Sequence, residues 1–166
     1  MKFALPLLLA LLMVGCASKK KTAAKSGQRM TVRTTAYTHT EAGGANNAIG
    51  SRLRFGGDTY SAASDWSWLP LGTRFRMVEN GRNYVIEDYG SALVGRQTID
   101  LYKPSMSAVR AWGVRNVEIE ILEWGSKAMS LKLLKPRAKR EYIQTMVAEL
   151  QKAVPPNSSS VASANL

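Results

Sequence analysis

Apolar and β-branched residues recur through the middle of the chain in short clusters, each cut off by glycine, proline or an Asn-Gly pair. Strand-forming stretches fall at 30–37, 52–55, 59–63, 73–78, 83–87, 98–102 and 114–123. Between them stand Gly56-Gly57, Pro70-Leu71-Gly72, Asn80-Gly81, Gly90 and Gly95. That spacing predicts an all-β sandwich or barrel. Asn80-Gly81 predicts a tight hairpin between Met77 and Tyr84. In the last stretch Val117, Ile119 and Ile121 alternate with Glu118 and Glu120, so one face is expected in the core and the acids outside it. A single helix is expected within the β region, over 104–112, opened by Pro104 and Ser105 and stopped at Gly113. A helical period returns over 136–152. There Ile143, Met146, Val147 and Leu150 share one face, with Lys139, Arg140, Gln144 and Gln151 mostly away from it. Docking of this stripe onto the barrel is the simpler expectation, and membrane or partner binding is the alternative.

Composition and charge narrow the partners. The chain has 166 residues, 45% hydrophobic and 21% charged, enough for one compact domain with appendages. The net charge of +11 would suit an anionic partner, but its distribution argues otherwise. Residues 1–29 carry a net +6 and 125–166 a net +5, while 30–124 hold ten basic and ten acidic residues. A nucleic-acid binder carries its cations on the folded face that meets the phosphates, so nucleic acid is not expected as a partner.

The N-terminus has the layout of an export signal. Lys2 precedes an apolar run over 3–14, then Gly15 and Cys16, and the run is too short to span a bilayer. Residues 1–15 are therefore read as a signal peptide. Met13-Val14-Gly15-Cys16 resembles a bacterial lipobox, with Cys16 as the lipid-modified first residue of the mature protein. Ala17 after it favours the outer membrane, facing the periplasm. As the lone cysteine, Cys16 has no partner for an intramolecular disulfide. The remaining organisation is expected as a flexible basic linker over 16–29, a barrel over 30–125, a linker and the helix over 126–153, and a disordered tail over 154–166.

The chemistry concentrates in three acids. Asp65 lies in SAASDWSWLPLGT, Asp88 in VIEDYGSAL and Asp100 in TIDLY. Each has a plain structural alternative. Asp65 suits a turn cap, Asp88 suits a turn that satisfies backbone donors, and Asp100 suits a strand acid paired with Arg96 or Lys103. Thr35, Tyr37 and Thr38 offer hydroxyls for a sugar or pack a strand. Trp66, Trp68 and Trp112 offer either a stacking face or core. The 38–50 loop is long enough to contribute to a site. His39 and Glu41 are the other acid–base groups nearby and fall short of a zinc set, so neither metal nor cofactor is expected.

These residues together resemble the three-aspartate (3D) domain, a small double-psi β-barrel that also forms the catalytic part of the membrane-bound lytic murein transglycosylase A family. The matching elements are Thr35-Ala36-Tyr37-Thr38, Asp65 with Leu69-Pro70-Leu71-Gly72-Thr73, Glu87-Asp88-Tyr89-Gly90-Ser91-Ala92, Ile99-Asp100-Leu101-Tyr102 and Trp112-Gly113-Val114-Arg115. Tyr89-Gly90-Ser91 replaces the common Thr-Gly-Gly, and Trp66 follows the first Asp where Pro is frequent. The resemblance implies a mainly β fold: a six-stranded double-psi barrel with one short inserted helix and a C-terminal amphipathic helix. It also implies a monomer acting on peptidoglycan strands, breaking the bond between N-acetylmuramic acid and N-acetylglucosamine with closure of a 1,6-anhydro ring. Asp100 is the implied general acid and base, with Asp88 beside it and Asp65 completing the set. Thr35, Tyr37, Thr38, Gly90 and Ser91 are the implied substrate contacts. A lipoprotein that holds glycan without cutting it is the alternative.

Overall fold

The computed structural model describes residues 27–41 and 44–154. The expected signal peptide, Cys16, nearly all of the linker and the tail beyond Val154 lie outside them. Six strands are found: β1 (Arg29–Tyr37), β2 (Tyr60–Ala63), β3 (Arg74–Met77), β4 (Asn83–Asp88), β5 (Thr98–Tyr102) and β6 (Arg115–Glu123). They close into a barrel in the order β1, β5, β2, β4, β3, β6. The pairs β1–β5 and β2–β4 are parallel, and the other four are antiparallel. Exchanging β1 with β4, β2 with β5 and β3 with β6 returns the same ring with the same directions. The barrel thus has an approximate two-fold order that no sequence repeat announces, and the mainly β expectation holds.

Local chemistry explains most boundaries. Gly81 takes a positive φ of 67° in the turn from β3 to β4, as the hairpin reading requires. Helix α1 (Met106–Trp112) is capped by the Ser105 side chain, which accepts from the Ala108 amide, and ends at Gly113 with φ 62°. The expected strand at 52–55 does not form. Arg52 makes only an isolated bridge to Asn46, because Arg52, Arg54 and Phe55 are exposed and the stretch has no buried face to hold a strand. Glu120 also departs from expectation. It stands on the outer face of β6 but is covered: Arg76 donates to it at 2.5 Å and the Gly27 amide at 3.2 Å. That Arg76 hydrogen bond and the Gly27 amide hold its carboxyl below the usual range.

The core is filled by Trp66, Leu69, Phe75, Ile86, Ile99 and Ile119, all fully buried, and Phe75 stacks on Tyr84 at 5.3 Å between centroids. Between β6 and the C-terminal helix, where no period was read, lies a further helix, α2 (Lys127–Leu134). Its hidden face includes Ser130, whose hydroxyl accepts from the Leu71 amide and donates to the Ser126 carbonyl; a polar residue at that position breaks the apolar stripe that would have marked the helix. The last helix, α3 (Glu141–Ala153), starts at Glu141 rather than at Pro136, which lies in a 3₁₀ turn over Lys135–Arg137. Ile143, Met146 and Leu150 join Leu131 and Leu134 of α2 in the barrel's own core. The stripe is docked.

Gly125 makes that docking possible. A Cβ there would meet the Leu71 and Pro70 carbonyl oxygens at 2.3 and 2.5 Å and the Thr73 nitrogen at 2.5 Å. Its own amide donates to the Thr73 hydroxyl at 3.0 Å. Gly125→Ala is expected to force the 70–73 turn away from α2 and destabilise the fold by about 1–3 kcal/mol, read as a lowered urea midpoint. An unchanged midpoint would show that the turn yields at no cost.

Candidate functional site

The barrel order brings the motif residues into one row. Ala63 on β2 pairs with Asp88 of β4 on one side and Asp100 of β5 on the other, and Thr35 of β1 pairs with Asp100. Two strand spacings, about 10 Å of backbone, therefore separate the two acids. Ala63 is the residue paired with both. Ala63, Asp88 and Asp100 line a cleft of about 350 Å³ together with Tyr37, Thr38 and Glu41. Asn46, Asn47 and Ala48, from the loop expected over 38–50, line it as well.

Asp100 has one protein partner of note. The Thr35 hydroxyl donates to Oδ1 at 2.6 Å, and Oδ2 has no hydrogen bond among the described residues. Burial pushes the Asp100 carboxyl up to about 6; the negative charges of Glu41 and Asp88 push the same way, against the Thr35 bond and Arg33. The expected alternative pairing with Arg96 or Lys103 is not among the ion pairs of the described residues. Asp88 is held more firmly. The Tyr89 amide donates to Oδ1 at 2.9 Å and the Tyr37 hydroxyl to Oδ2 at 3.3 Å. Burial raises its carboxyl too, but these donors oppose the rise. Tyr37 in turn is pushed up, first by burial and then by the charge of Asp88, so it stays a protonated donor.

Asp65 lies elsewhere. It is 3% exposed and is not among the cleft-lining residues. Oδ1 accepts from the Ser67 amide at 2.8 Å and the Ser67 hydroxyl at 2.6 Å, and Oδ2 from the Gly95 amide at 2.8 Å. The structure places it as the cap of the 65–69 turn. That turn seats Trp66, fully buried, whose indole donates to the Asp88 carbonyl at 2.9 Å. Trp66 is therefore core and a support for Asp88, not a sugar platform. Gly90 lines the cleft, whereas Ser91 opens an exposed 3₁₀ turn and does not.

Glu41 and Asn47 carry more of the site than their sequence signal showed. Glu41 accepts from the Thr38 amide at 3.2 Å and faces the same cleft as Asp100. Asn47 accepts from the Ile49 and Ser51 amides through Oδ1, and its buried Nδ2 has no partner among the described residues. A Gly- and Asn-rich loop gives notice of turns, not of which side chain turns inward. Among the described residues no group of three or more His, Cys, Asp or Glu is placed to hold a metal ion.

Residues 60–123, from the start of β2 to the end of β6, match the 3D domain. This stretch is similar to the 3D domain. Asp65, Asp88 and Asp100 fall within the matched residues, and Thr35, Tyr37 and Thr38 precede them. The chain is also 31% identical over 99 residues to the cell wall-binding protein YocH of Bacillus subtilis (strain 168). That alignment covers 59% of this chain and 34% of that protein, so the chain spans about a third of its relative's length. Within the matched stretch two acids share a cleft and the third builds the turn behind it. A cleft with two carboxyls raised by burial, one of them held by fixed donors, is suited to proton transfer on a neutral, hydroxyl-rich substrate.

Proposed function

We propose that this barrel is a 3D domain and cleaves the glycan strands of peptidoglycan as a lytic transglycosylase, with Asp100 as general acid and then base. The observation that carries the reading is Asp100 itself, half-buried in an open cleft, raised to about 6, and bonded through one of its oxygens among the described residues. The motif likeness to the lytic murein transglycosylase A family and the cell-wall binding in the relative's name support it.

The residues divide the work as follows. Protonated Asp100 gives its proton to the glycosidic oxygen as that bond to muramyl C1 breaks, leaving an oxocarbenium-like centre. The muramyl C6 hydroxyl then attacks C1 within the same sugar, and the Asp100 carboxylate takes its proton. No water is consumed, so no second carboxylate spaced to activate water is required. Asp88, fixed by Tyr37 and the Tyr89 amide, supplies negative charge beside the developing positive centre. In this reading Cys16 anchors the protein by lipid to the outer membrane, facing the periplasm. The full chain incubated with purified sacculi should release 1,6-anhydro-muropeptides, identified by mass spectrometry. Products with reducing muramyl ends would show hydrolysis instead.

A second reading is a protein that holds glycan without cutting it, favoured by the name of the Bacillus relative. It predicts co-sedimentation with sacculi and no soluble products at any pH.

A further inference from the structure

Beside the cleft lies a group that the proton transfer does not use. Lys103, the residue after β5, is 5% exposed, yet among the described residues no hydrogen bond or ion pair takes up its ammonium. Its Nζ sits 4.2 Å from the centroid of the Trp112 ring and 5.8 Å from that of Phe55. Two further cations adjoin the patch. Arg115 stacks on Trp112 at 4.3 Å and Arg82 lies over Tyr60 at 5.4 Å, and neither is in an ion pair among the described residues. Burial lowers the Lys103 ammonium, and the charges of Arg82 and Arg115 lower it further. Three cations thus lie around one exposed and two half-buried rings; the Arg115 guanidinium donates to the Trp112 and Ala111 carbonyls, and no carboxylate pairs with any of the three among the described residues, which leaves a local positive field.

The place of this field suggests what it receives. The Lys103 amide donates to the Tyr37 carbonyl at 2.8 Å, and Tyr37 lines the cleft. Tyr37 packs on Tyr102 at 5.7 Å, and Tyr102 on Phe55 at 6.5 Å, so an aromatic path leads from Asp88's partner to the cations. Lys103 is three residues beyond Asp100, about 10 Å along an extended chain. On the reading that the cleft holds a muramyl residue, the peptide borne by that sugar leaves the cleft at such a distance.

We propose that Lys103, flanked by Phe55 and Trp112 and assisted by Arg82 and Arg115, is a subsite for a carboxylate of the acidic stem peptide attached to the glycan. The rings give the peptide an apolar wall, and the ammonium gains the counter-ion it lacks. The subsite would make the protein select peptide-bearing strands over bare ones. It rests on the glycan reading above.

The test compares binding of the full chain to two forms of sacculi, both freed of covalently attached anionic polymers: intact, and stripped of stem peptides by an amidase. Wild type is expected to bind the intact form about tenfold more tightly, and Lys103→Met to bind both at the stripped level, because a buried charge pair is lost. Lys103→Arg should retain part of the preference. Stem peptides released by the amidase should compete with intact sacculi for wild type and not for Lys103→Met. Equal binding of both forms by wild type, or a preference kept by Lys103→Met, overturns the subsite and leaves the glycan reading standing. Binding to neither form overturns both. Should Lys103→Met fail to fold, Arg82→Gln, at an exposed position, is expected to reduce the preference about threefold and weaken its salt dependence. No change in that variant also overturns the subsite.

Discussion

If the barrel is the proposed transglycosylase, Asp100→Asn is expected to abolish glycan cleavage and, at the same time, to stabilise the fold above pH 6. A general acid and base accounts for about 10²–10⁴-fold in rate, so release of anhydro products should fall below detection in the variant. The stability half follows from the same burial. The Asp100 carboxyl rises from 3.8 to about 6 in the folded protein, so the fold binds this proton more tightly than the unfolded chain does. Below about pH 4 both states are protonated and the group costs nothing. Between about 4 and 6 its ionisation increasingly opposes folding, and above 6 the cost is complete. Two units correspond to about 3 kcal/mol, and partial exposure to the cleft reduces this to about 2 kcal/mol. Asn keeps an oxygen for the Thr35 hydroxyl and has no charge to desolvate. Urea unfolding at pH 8 should therefore show the variant more stable by about 2 kcal/mol, and at pH 4 the two curves should coincide. A variant that is inactive but no more stable at pH 8 would mean that the carboxylate is solvated and its raised pKa is not the source of the activity.

The same proton sets the pH profile. In the proposed mechanism the free protein must hold the proton on Asp100 before the glycosidic oxygen can take it, so kcat/KM should fall about tenfold per unit above about pH 6. Asp88→Asn should leave that limb in place and shift it to lower pH, since it removes one of the charges that raise Asp100. A limb that does not move would take Asp88 out of electrical contact with Asp100.

How far this arrangement is legible before folding differs from element to element. Asn80-Gly81, Ser105 and Gly113 announce their turns and caps because each solves a local backbone problem, and local problems are visible in a few residues. The pairing of Asp100 with Thr35, and of Ala63 with both acids, is not local. It depends on β5 lying between β1 and β2, a consequence of ring order that no spacing along the chain encodes. The stretch 52–55 shows the limit of composition, since β-forming residues without a buried face stay a loop. Helix α2 shows the converse: Ser130 sits fully buried with both hydrogen-bonding roles of its hydroxyl used, so a polar letter stands at a core position. The three acids were equally prominent as motifs. Burial and partners separate them, because Asp65, with both oxygens taken by two amides and a hydroxyl, has no oxygen left for a substrate.

Asp65 tests that separation, and its removal is expected to be the largest single loss of stability at these motifs. Asp65→Ala leaves the Ser67 amide, the Ser67 hydroxyl and the Gly95 amide without their acceptor at a site that is 3% exposed. Bonds to a charged acceptor are worth about 1.5–3 kcal/mol each but are not additive, so a total of about 3–5 kcal/mol is expected. The turn that seats Trp66 would loosen with it, and with Trp66 the support of the Asp88 carbonyl. Asp65→Asn separates this positioning role from a catalytic one. It keeps Oδ1 for Ser67 and loses one good contact at Gly95, a cost of about 1–2 kcal/mol. Measured well below its melting temperature, the Asn variant should cleave sacculi with near wild-type kcat and an unchanged pH limb, with any effect confined to KM through the loop that carries Gly90 and Gly95. A folded Asp65→Asn variant without activity, or one whose pH limb has vanished, would return Asp65 to the chemistry and break the division between two cleft acids and one acid of the scaffold.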